Sequence, residues 1–380
     1  MDLTVGNNSH HAMNIGQPLS AVQLITTVGA ALLSFTIVSG NLLVIAAFVR
    51  DKSLRNITNN YLVSLAIADL LVGAIVIPIF TLGNYGRDNE QRSGDDATLC
   101  YFFQIVDIFS SSSSIFHLCV IAGDRYMAIV HSMTYPAKMT RKVSLVLIGT
   151  AWCLALGVSG LWVGSEVGFG QNNTNTCTGS FSPLFSIISS CVSFFLPAIL
   201  MMIFYTKTFL TARAHIRRIQ RGRMAISGNG GGQDAMRIHR GGSTATPGAS
   251  GGATAMHSEY KVAKTLGLVI AAFLLCWLPF FALNIILSLF NGEYNSLRAI
   301  RYLSYWLGYI NSAINPFIYA FTNSSFRKAF SKIICCRRNT RRDQWTADSR
   351  ASGGRQTNLQ NTIICPVLFP VEFPLPFRYF

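Results

Sequence analysis

Residues 265–292 read TLGLVIAAFLLCWLPFFALNIILSLFNG, a run with no Asp, Glu, Lys or Arg. A helix needs roughly 20 mostly apolar residues to cross the hydrocarbon core of a bilayer, and this stretch exceeds that. Equally uncharged windows lie at Leu3–Val49, Val143–Ser165, Val167–Thr206 and Tyr302–Phe326. Two more, Ile57–Gly86 and Ala97–Gly123, hold one charge each, Asp69 and Asp107. Seven spans follow. Composition agrees: 12% of the 380 residues are charged and 50% are hydrophobic, where an ordinary soluble domain has about a quarter charged. The expected fold is an all-α membrane protein, a seven-transmembrane helix bundle. Its helices are expected at about 21–50, 57–85, 97–131, 142–166, 183–219, 258–290 and 297–321.

The net charge of +15 would suit a nucleic-acid binder, but its distribution points elsewhere. With the N-terminus outside, only Arg87, Arg92, Arg298 and Arg301 of the 31 Lys and Arg fall on the outer side. The others gather on the inner ends, inner loops and tail, as membrane topology requires. The expected location is the plasma membrane, with an extracellular N-terminus and no nucleic-acid partner. The first apolar run is too long for a cleavable signal and reads as a first span. Asn7 and Asn172 begin N-x-S/T sequons on the outer side and are the expected glycosylation sites. Cys100 and Cys177 both fall at the oxidising outer face and are expected to form a disulfide. Cys335 and Cys336 lie among basic residues after the last span, a setting for palmitoylation as much as for two unmodified thiols.

Residues 1–20 read as an extracellular segment and 21–321 as the receptor-sized bundle. The stretch at about 222–257, rich in Gly, Ser, Thr and Ala, reads as a disordered inner loop. Within 322–336, Phe326 and Phe330 are four apart among basic residues, which predicts an amphipathic eighth helix lying on membrane lipid. Residues 337–380 form a cytoplasmic tail whose Pro- and Phe-rich end has no physical account here.

Polar groups inside a membrane are costly and point to function. Asp107 is seven residues inward from Cys100, so about 10 Å below the outer rim. A ligand ammonium is the partner such a carboxylate would take, against the plainer reading of a protonated or hydrated structural Asp. Ser189, Ser190 and Ser193 are spaced to share a helix face and offer hydroxyls, although serine is also a common packing residue in membrane helices. Trp277, Phe280 and Phe281 offer an aromatic wall or plain packing, and Tyr309 the side of an ammonium cage. Asp69, deeper in its span, has Ser114, Asn311, Ser312 and Asn315 as expected neighbours. This oxygen-rich set suits an allosteric sodium ion or a hydrated cluster that links helices.

Asn41, Leu65–Asp69, Asp124-Arg125-Tyr126, Trp152, Pro197 with Tyr205, Cys276-Trp277-Leu278-Pro279 and Asn315-Pro316-Phe317-Ile318-Tyr319 follow in order, each in its own span. Over roughly residues 21–333 the chain resembles the rhodopsin-like G-protein-coupled receptors. The resemblance implies that Asp124, Arg125, Tyr126, Tyr205, Asn315, Pro316 and Tyr319 form the switch that receives a heterotrimeric G protein. It also implies that Glu259 holds Arg125 in the inactive state, and that arrestin and receptor kinases are partners. Asp107 sits where aminergic members hold their ligand's ammonium. Ile108, Ser111, the three serines, Trp277, Phe280, Phe281, Asn284, Tyr305 and Tyr309 then line a pocket similar to those for dopamine, beta-adrenergic and octopamine ligands. Tyr305 departs from the asparagine of adrenergic receptors.

The resulting expectation is a receptor for a small biogenic amine, catecholamine or phenolamine-like, that stimulates adenylate cyclase. A serotonin, histamine or trace-amine receptor and a constitutively active one are the alternatives. A light-sensing opsin would need a lysine in the seventh span, and Tyr302–Phe326 has none. A transporter would favour internal repeats, which the sequence lacks. No nucleophile–base pair, metal cluster or phosphate loop suggests an enzyme, and no resident cofactor is expected beyond the sodium ion.

Overall fold

In a computed structural model the chain is described over residues 21–84, 92–93, 95–169, 176–177, 183–228, 248–289 and 295–334. The first helix is Ala21–Arg50; the second runs as Ile57–Leu71, a π turn at Val72–Val76, and Ile77–Asn84. The third is Asp95–Val130 and the fourth Arg141–Phe169. The fifth runs as Pro183–Ser190, a π turn at Cys191–Phe195, and Leu196–Gly228. The sixth is Gly248–Leu289, the seventh Asn295–Thr322, and the eighth the short Ser324–Ile334. Residues Arg92–Ser93 and Thr176–Cys177 pair as a two-residue antiparallel ladder, Arg92 opposite Cys177.

Local chemistry explains several helix starts. Asn56 Oδ1 accepts the backbone N–H of Asn59 at 2.8 Å, opening the second helix. Thr140 Oγ1 accepts from Val143 at 3.3 Å ahead of the fourth, and Asn323 Oδ1 accepts from Ser325 at 3.0 Å ahead of the eighth. Each satisfies a donor that a helix N-terminus would otherwise leave unmet. The first and second helices approach closely because Gly73 has no side chain. A Cβ there would lie 2.7 Å from Ile37 Cγ2, and Ser34 instead donates to the Gly73 carbonyl at 2.6 Å.

Among the described residues, six helices are long and apolar enough to cross a membrane. The seventh, 28 residues long, reaches about 42 Å. Its lower apolarity has a clear cause: Ser304, Asn311, Ser312 and Asn315 are buried against the bundle. The third helix is central, touching the second, fourth, fifth and sixth, and the first closes the ring against the seventh. The bundle is apolar outside and partly polar inside. Leu24, Phe35, Leu145, Leu161, Leu275 and Leu303 are exposed, whereas Asp69, Asp107, His117 and Asp124 are buried. Such a continuous apolar exterior fits lipid as its solvent.

The expectation of a structureless stretch at 222–257 is corrected at both ends. The fifth helix persists to Gly228, and the sixth begins at Gly248. Arg, Gln, Met and Ala carry the first extension, and the alanines interleaved with Gly248, Gly251 and Gly252 carry the second. The π turns were not expected either. The eighth helix does form, burying Phe326, Ala329 and Phe330 against the first and seventh helices. Lys332 on it lies 3.6 Å from Asp51 in the connection between the first and second helices. Hydrogen bonds from Ser53, with help from Lys332, hold the Asp51 carboxyl below its ordinary pKa. Asn7, Asn172, Cys335 and Cys336 lie outside the described residues, as do the Cys100, Cys177 and Glu259 side chains.

One buried polar chain links three helices. His117 Nδ1 faces the Ser113 carbonyl at 2.7 Å, so that nitrogen carries the proton. Its Nε2 then accepts from Ser64 at 2.7 Å, while Ser64 accepts the Trp152 indole N–H at 3.0 Å. Replacing His117 by Phe leaves Ser64 a donor without an acceptor, at about 1–3 kcal/mol. We expect H117F to lower the thermal unfolding midpoint of the purified protein; an unchanged midpoint would show that the chain contributes nothing.

Candidate ligand and switch sites

Asp107 enters the bundle interior from the third helix and is 8% exposed. Ser111, one turn further in, donates weakly to its Oδ1 at 3.5 Å. Among the described residues no Lys, Arg or His forms an ion pair with it. Across the bundle, the fifth helix buries Ser189, Ser190 and Ser193. Ser190 accepts from the Asn284 amide of the sixth helix at 3.1 Å, and Ser189 donates to the Ser186 carbonyl at 3.4 Å. Among the described residues the Ser193 hydroxyl and the Trp277 indole N–H are buried without a hydrogen-bond partner, while the Tyr309 hydroxyl lies beside the Asp107 carboxylate.

Aromatic rings form the remaining walls. Phe280 is 4.9 Å from Tyr305 and 5.1 Å from Phe281. Phe281 stacks nearly parallel on Phe194 of the fifth helix at 4.6 Å, and Trp277 lies 5.8 Å from Phe281. Gly308 of the seventh helix seats Trp277: a Cβ at that glycine would come within 2.9 Å of the indole. Phe80 of the second helix is the hub of a further group, with Phe103, Tyr302, Tyr305, Trp306 and Tyr309 all between 5.6 and 5.8 Å away.

Halfway down, the Asp69 carboxylate is fully buried. Its Oδ1 accepts from Ser114 at 3.2 Å and its Oδ2 from the Asn315 amide at 2.9 Å. Asn41 donates to the Ser312 carbonyl at 3.2 Å, tying the first helix to the seventh. The Asn41 carbonyl oxygen is buried and unpartnered. Asn311 and Ser312 are buried in the same stretch of the seventh helix.

At the far end of the third helix from Asp107, Arg125 donates to Asp124 Oδ2 through Nη2 at 2.6 Å and Nε at 3.1 Å, and also bonds Thr58. Thr58 donates to the same carboxylate at 2.9 Å, and Tyr135, between the third and fourth helices, donates to Oδ1 at 2.8 Å. Burial, with the Asp124 carboxylate beside it, pushes the Tyr135 phenol up to about 12, so it stays a donor at neutral pH. Tyr126 faces the fifth helix, stacked on Phe204 at 5.3 Å. The Tyr205 ring fills the space in front of Gly267 on the sixth helix. Tyr319 is buried 5.8 Å from Phe326 of the eighth helix.

The family model for the seven-transmembrane receptors of the rhodopsin family matches residues 40–319. The chain belongs to that family. It is 33% identical over 350 residues to the octopamine receptor beta-2R of Chilo suppressalis, covering 87% of this chain and 85% of that one. The 5-hydroxytryptamine receptor 4 of Cavia porcellus is 35% identical over 341 residues, covering 83% and 80%. The D(1B) dopamine receptor of Xenopus laevis is 33% identical over 335 residues, covering 84% and 71%. The protein is therefore a receptor and not an enzyme, and crosses the membrane several times.

Several of the residues singled out in the sequence are paired in the receptor: Asp107 with Ser111 and Tyr309, Ser190 with Asn284, and Phe280 with Trp277, Phe281 and Tyr305. Ile108 instead packs with Phe116, Ala151, Ala155 and Val158 toward the fourth helix. Among the switch residues, Arg125 meets its chain neighbour Asp124, while Tyr205 lies against Gly267 and Tyr319 against Phe326. Phe80 was missed. The aromatic stripe at 302, 305, 306 and 309, at helical spacing, was the signal that a ring must face it.

Because Gly308 seats the Trp277 indole, a G308V side chain displaces that ring. Such overpacking costs about 1–3 kcal/mol, read as a lower unfolding midpoint. Adding W277A should recover most of the loss; additive losses in the double variant would mean that the two positions are independent.

Proposed function

We propose that the receptor binds a small cationic amine, catecholamine or phenolamine-like, and activates a heterotrimeric G protein that stimulates adenylate cyclase. The observation that carries this reading is Asp107: a buried carboxylate with no cationic partner among the described residues, beside the Tyr305 and Tyr309 side chains. An ammonium there would gain a charge-assisted hydrogen bond in a poorly screened site. The buried Ser193 hydroxyl, without a partner among the described residues, supplies a further polar contact for such a ligand. The names of the relatives, receptors for octopamine, 5-hydroxytryptamine and dopamine, support the amine class.

The remaining roles complete the reading. The N-terminus is extracellular and the Arg125 end cytoplasmic at the plasma membrane, as the alternating charge supports. Agonist contacts on Phe280, Phe281 and Trp277 shift the sixth helix, while the Asp124–Arg125 pair, and Glu259 in its family role, oppose the change. Arrestin and receptor kinases act on the same inner face. Cys100–Cys177 is the outer disulfide, Asn7 and Asn172 carry glycans, and Cys335 and Cys336 carry palmitate. Asp69, Ser114 and Asn315, with Asn311 and Ser312 alongside, hold a sodium ion. The set fits a hard cation because it offers carboxylate, hydroxyl and amide oxygens, and the unpartnered Asn41 oxygen adds another acceptor to this layer.

The test is cyclic AMP in cells expressing the receptor, challenged with dopamine, octopamine, tyramine, adrenaline, serotonin and histamine. We expect a rise with one of them, and D107N to weaken potency by at least about 30-fold, the lower end for losing one partner of a buried charge pair. Unchanged potency in D107N would refute the anchoring role. Sodium should lower agonist affinity in the native receptor and have no effect in D69N. Equal sodium sensitivity in both would remove the ion from Asp69.

A further inference from the structure

A cavity of about 510 Å³ lies on the membrane-facing side of the fifth and sixth helices, outside the proposed amine site. It extends along the fifth helix from Phe194 to Lys207 and is walled on the sixth by Leu274 and Leu278. Thirteen residues of helix make it about 20 Å long, against a half-thickness of about 15 Å for the hydrocarbon core. Two backbone irregularities shape its deep end. The π turn at Cys191–Phe195 carries Phe194, and Leu278 precedes the mid-helix Pro279.

Its polarity is one-sided. The walls are apolar, with Ile199 at 58% exposure and Leu278 at 49%. At the Arg125 end the lining closes with Thr206 and the exposed Lys207. Among the described residues Lys207 has no carboxylate partner. An ammonium bordering hydrocarbon needs an anion or water at the interface. Arg213 and Arg217 are exposed further along the same helix, about 9 and 15 Å beyond it and turned to other faces.

We propose that this groove binds an anionic phospholipid of the leaflet on the Arg125 side, one acyl chain between the two helices and the headgroup on Lys207. A sterol would leave the ammonium unpaired, since its polar group is neutral. A free fatty acid would also meet Lys207, and its displacement of the labelled lipid is one outcome of the experiment. The bound chain would touch Phe194, whose ring also stacks on Phe281 of the aromatic wall.

The experiment uses the full-length purified receptor in phosphatidylcholine nanodiscs containing traces of diazirine-acyl phosphatidylserine or diazirine-acyl phosphatidylcholine, with labelled peptides mapped by mass spectrometry. No amine is present, so the result does not depend on the amine assignment. The serine lipid should label residues 194–207 and 274–278 about fivefold more than the choline lipid, the ratio produced by about 1 kcal/mol from one basic residue at an anionic headgroup. K207Q should bring that ratio to about one and K207R should retain it, while I199W, which fills the groove, should reduce labelling by both lipids. In the native protein about 1 M salt, where the Debye length is about 3 Å, should also remove the preference. Equal labelling by the two lipids, a preference that survives K207Q, or displacement by sterol or fatty acid more readily than by phosphatidylserine would overturn the proposal.

Discussion

The Asp69 carboxylate is shared by three helices: the second carries it, and Ser114 of the third and Asn315 of the seventh donate to it. In a fully buried position those bonds act without competing water, and losing them would leave an uncompensated polar group at a cost of several kcal/mol. The three backbones must therefore keep the distances that let both donors reach one carboxylate. Asn41, bonded to the Ser312 carbonyl, brings the first helix into the same layer. The third helix in turn sets the spacing of the other sites. Asp107 lies seven residues on one side of Ser114 and Arg125 eleven on the other, about 10 and 17 Å along the axis. The outer pocket, the middle polar layer and the inner charge pair are thus stations on one rod, and a change at one bears on the others only through the helices packed against it.

Much of this arrangement was legible in the chain because a membrane punishes misplaced charge. Gaps in Asp, Glu, Lys and Arg located the spans, and the two aspartates inside such gaps are both buried in the bundle. The parts that stayed hidden have equally physical reasons. Val72–Val76 is wholly apolar and Cys191–Phe195 nearly so, so neither π turn has a residue that announces it. Residues 248–257 looked unstructured from their glycines, yet their alanines suit a helix continuing into the sixth span. Ile108 follows Asp107 directly, and adjacent helix positions point about 100° apart, which sends it to the fourth helix. Phe80 sits alone in the second span, and its importance arises from rings more than 200 positions away in the chain.

The resting contacts of the switch residues follow from short range winning over long. Asp124 is adjacent to Arg125 and already in place when the helix forms, so this ion pair needs no loop closure. Thr58 and Tyr135 then satisfy the remaining carboxylate sites, making a four-residue knot between the second helix, the third and the inner loop. Tyr205 rests where Gly267 has no side chain, and Tyr319 rests against Phe326. Arg125 is thus held by charge-assisted bonds, whereas Tyr205 and Tyr319 are seen against small or apolar neighbours.

The same cost that fixes the middle layer makes the outer layer responsive. Asp69 has amide and hydroxyl donors within the protein, whereas Asp107 has the long bond from Ser111 and the Tyr309 hydroxyl beside it. Ser193 and Trp277 present buried polar atoms without partners among the described residues. A group left unmet in a dry site costs about 1–3 kcal/mol, so any cation or hydroxyl that meets several of them gains more than it would in water. Moving an equilibrium from 1:99 to 99:1 takes about 5.5 kcal/mol of preference for one state. At about 1–3 kcal/mol each, about two to six such contacts, stronger in one helix arrangement than the other, would supply it.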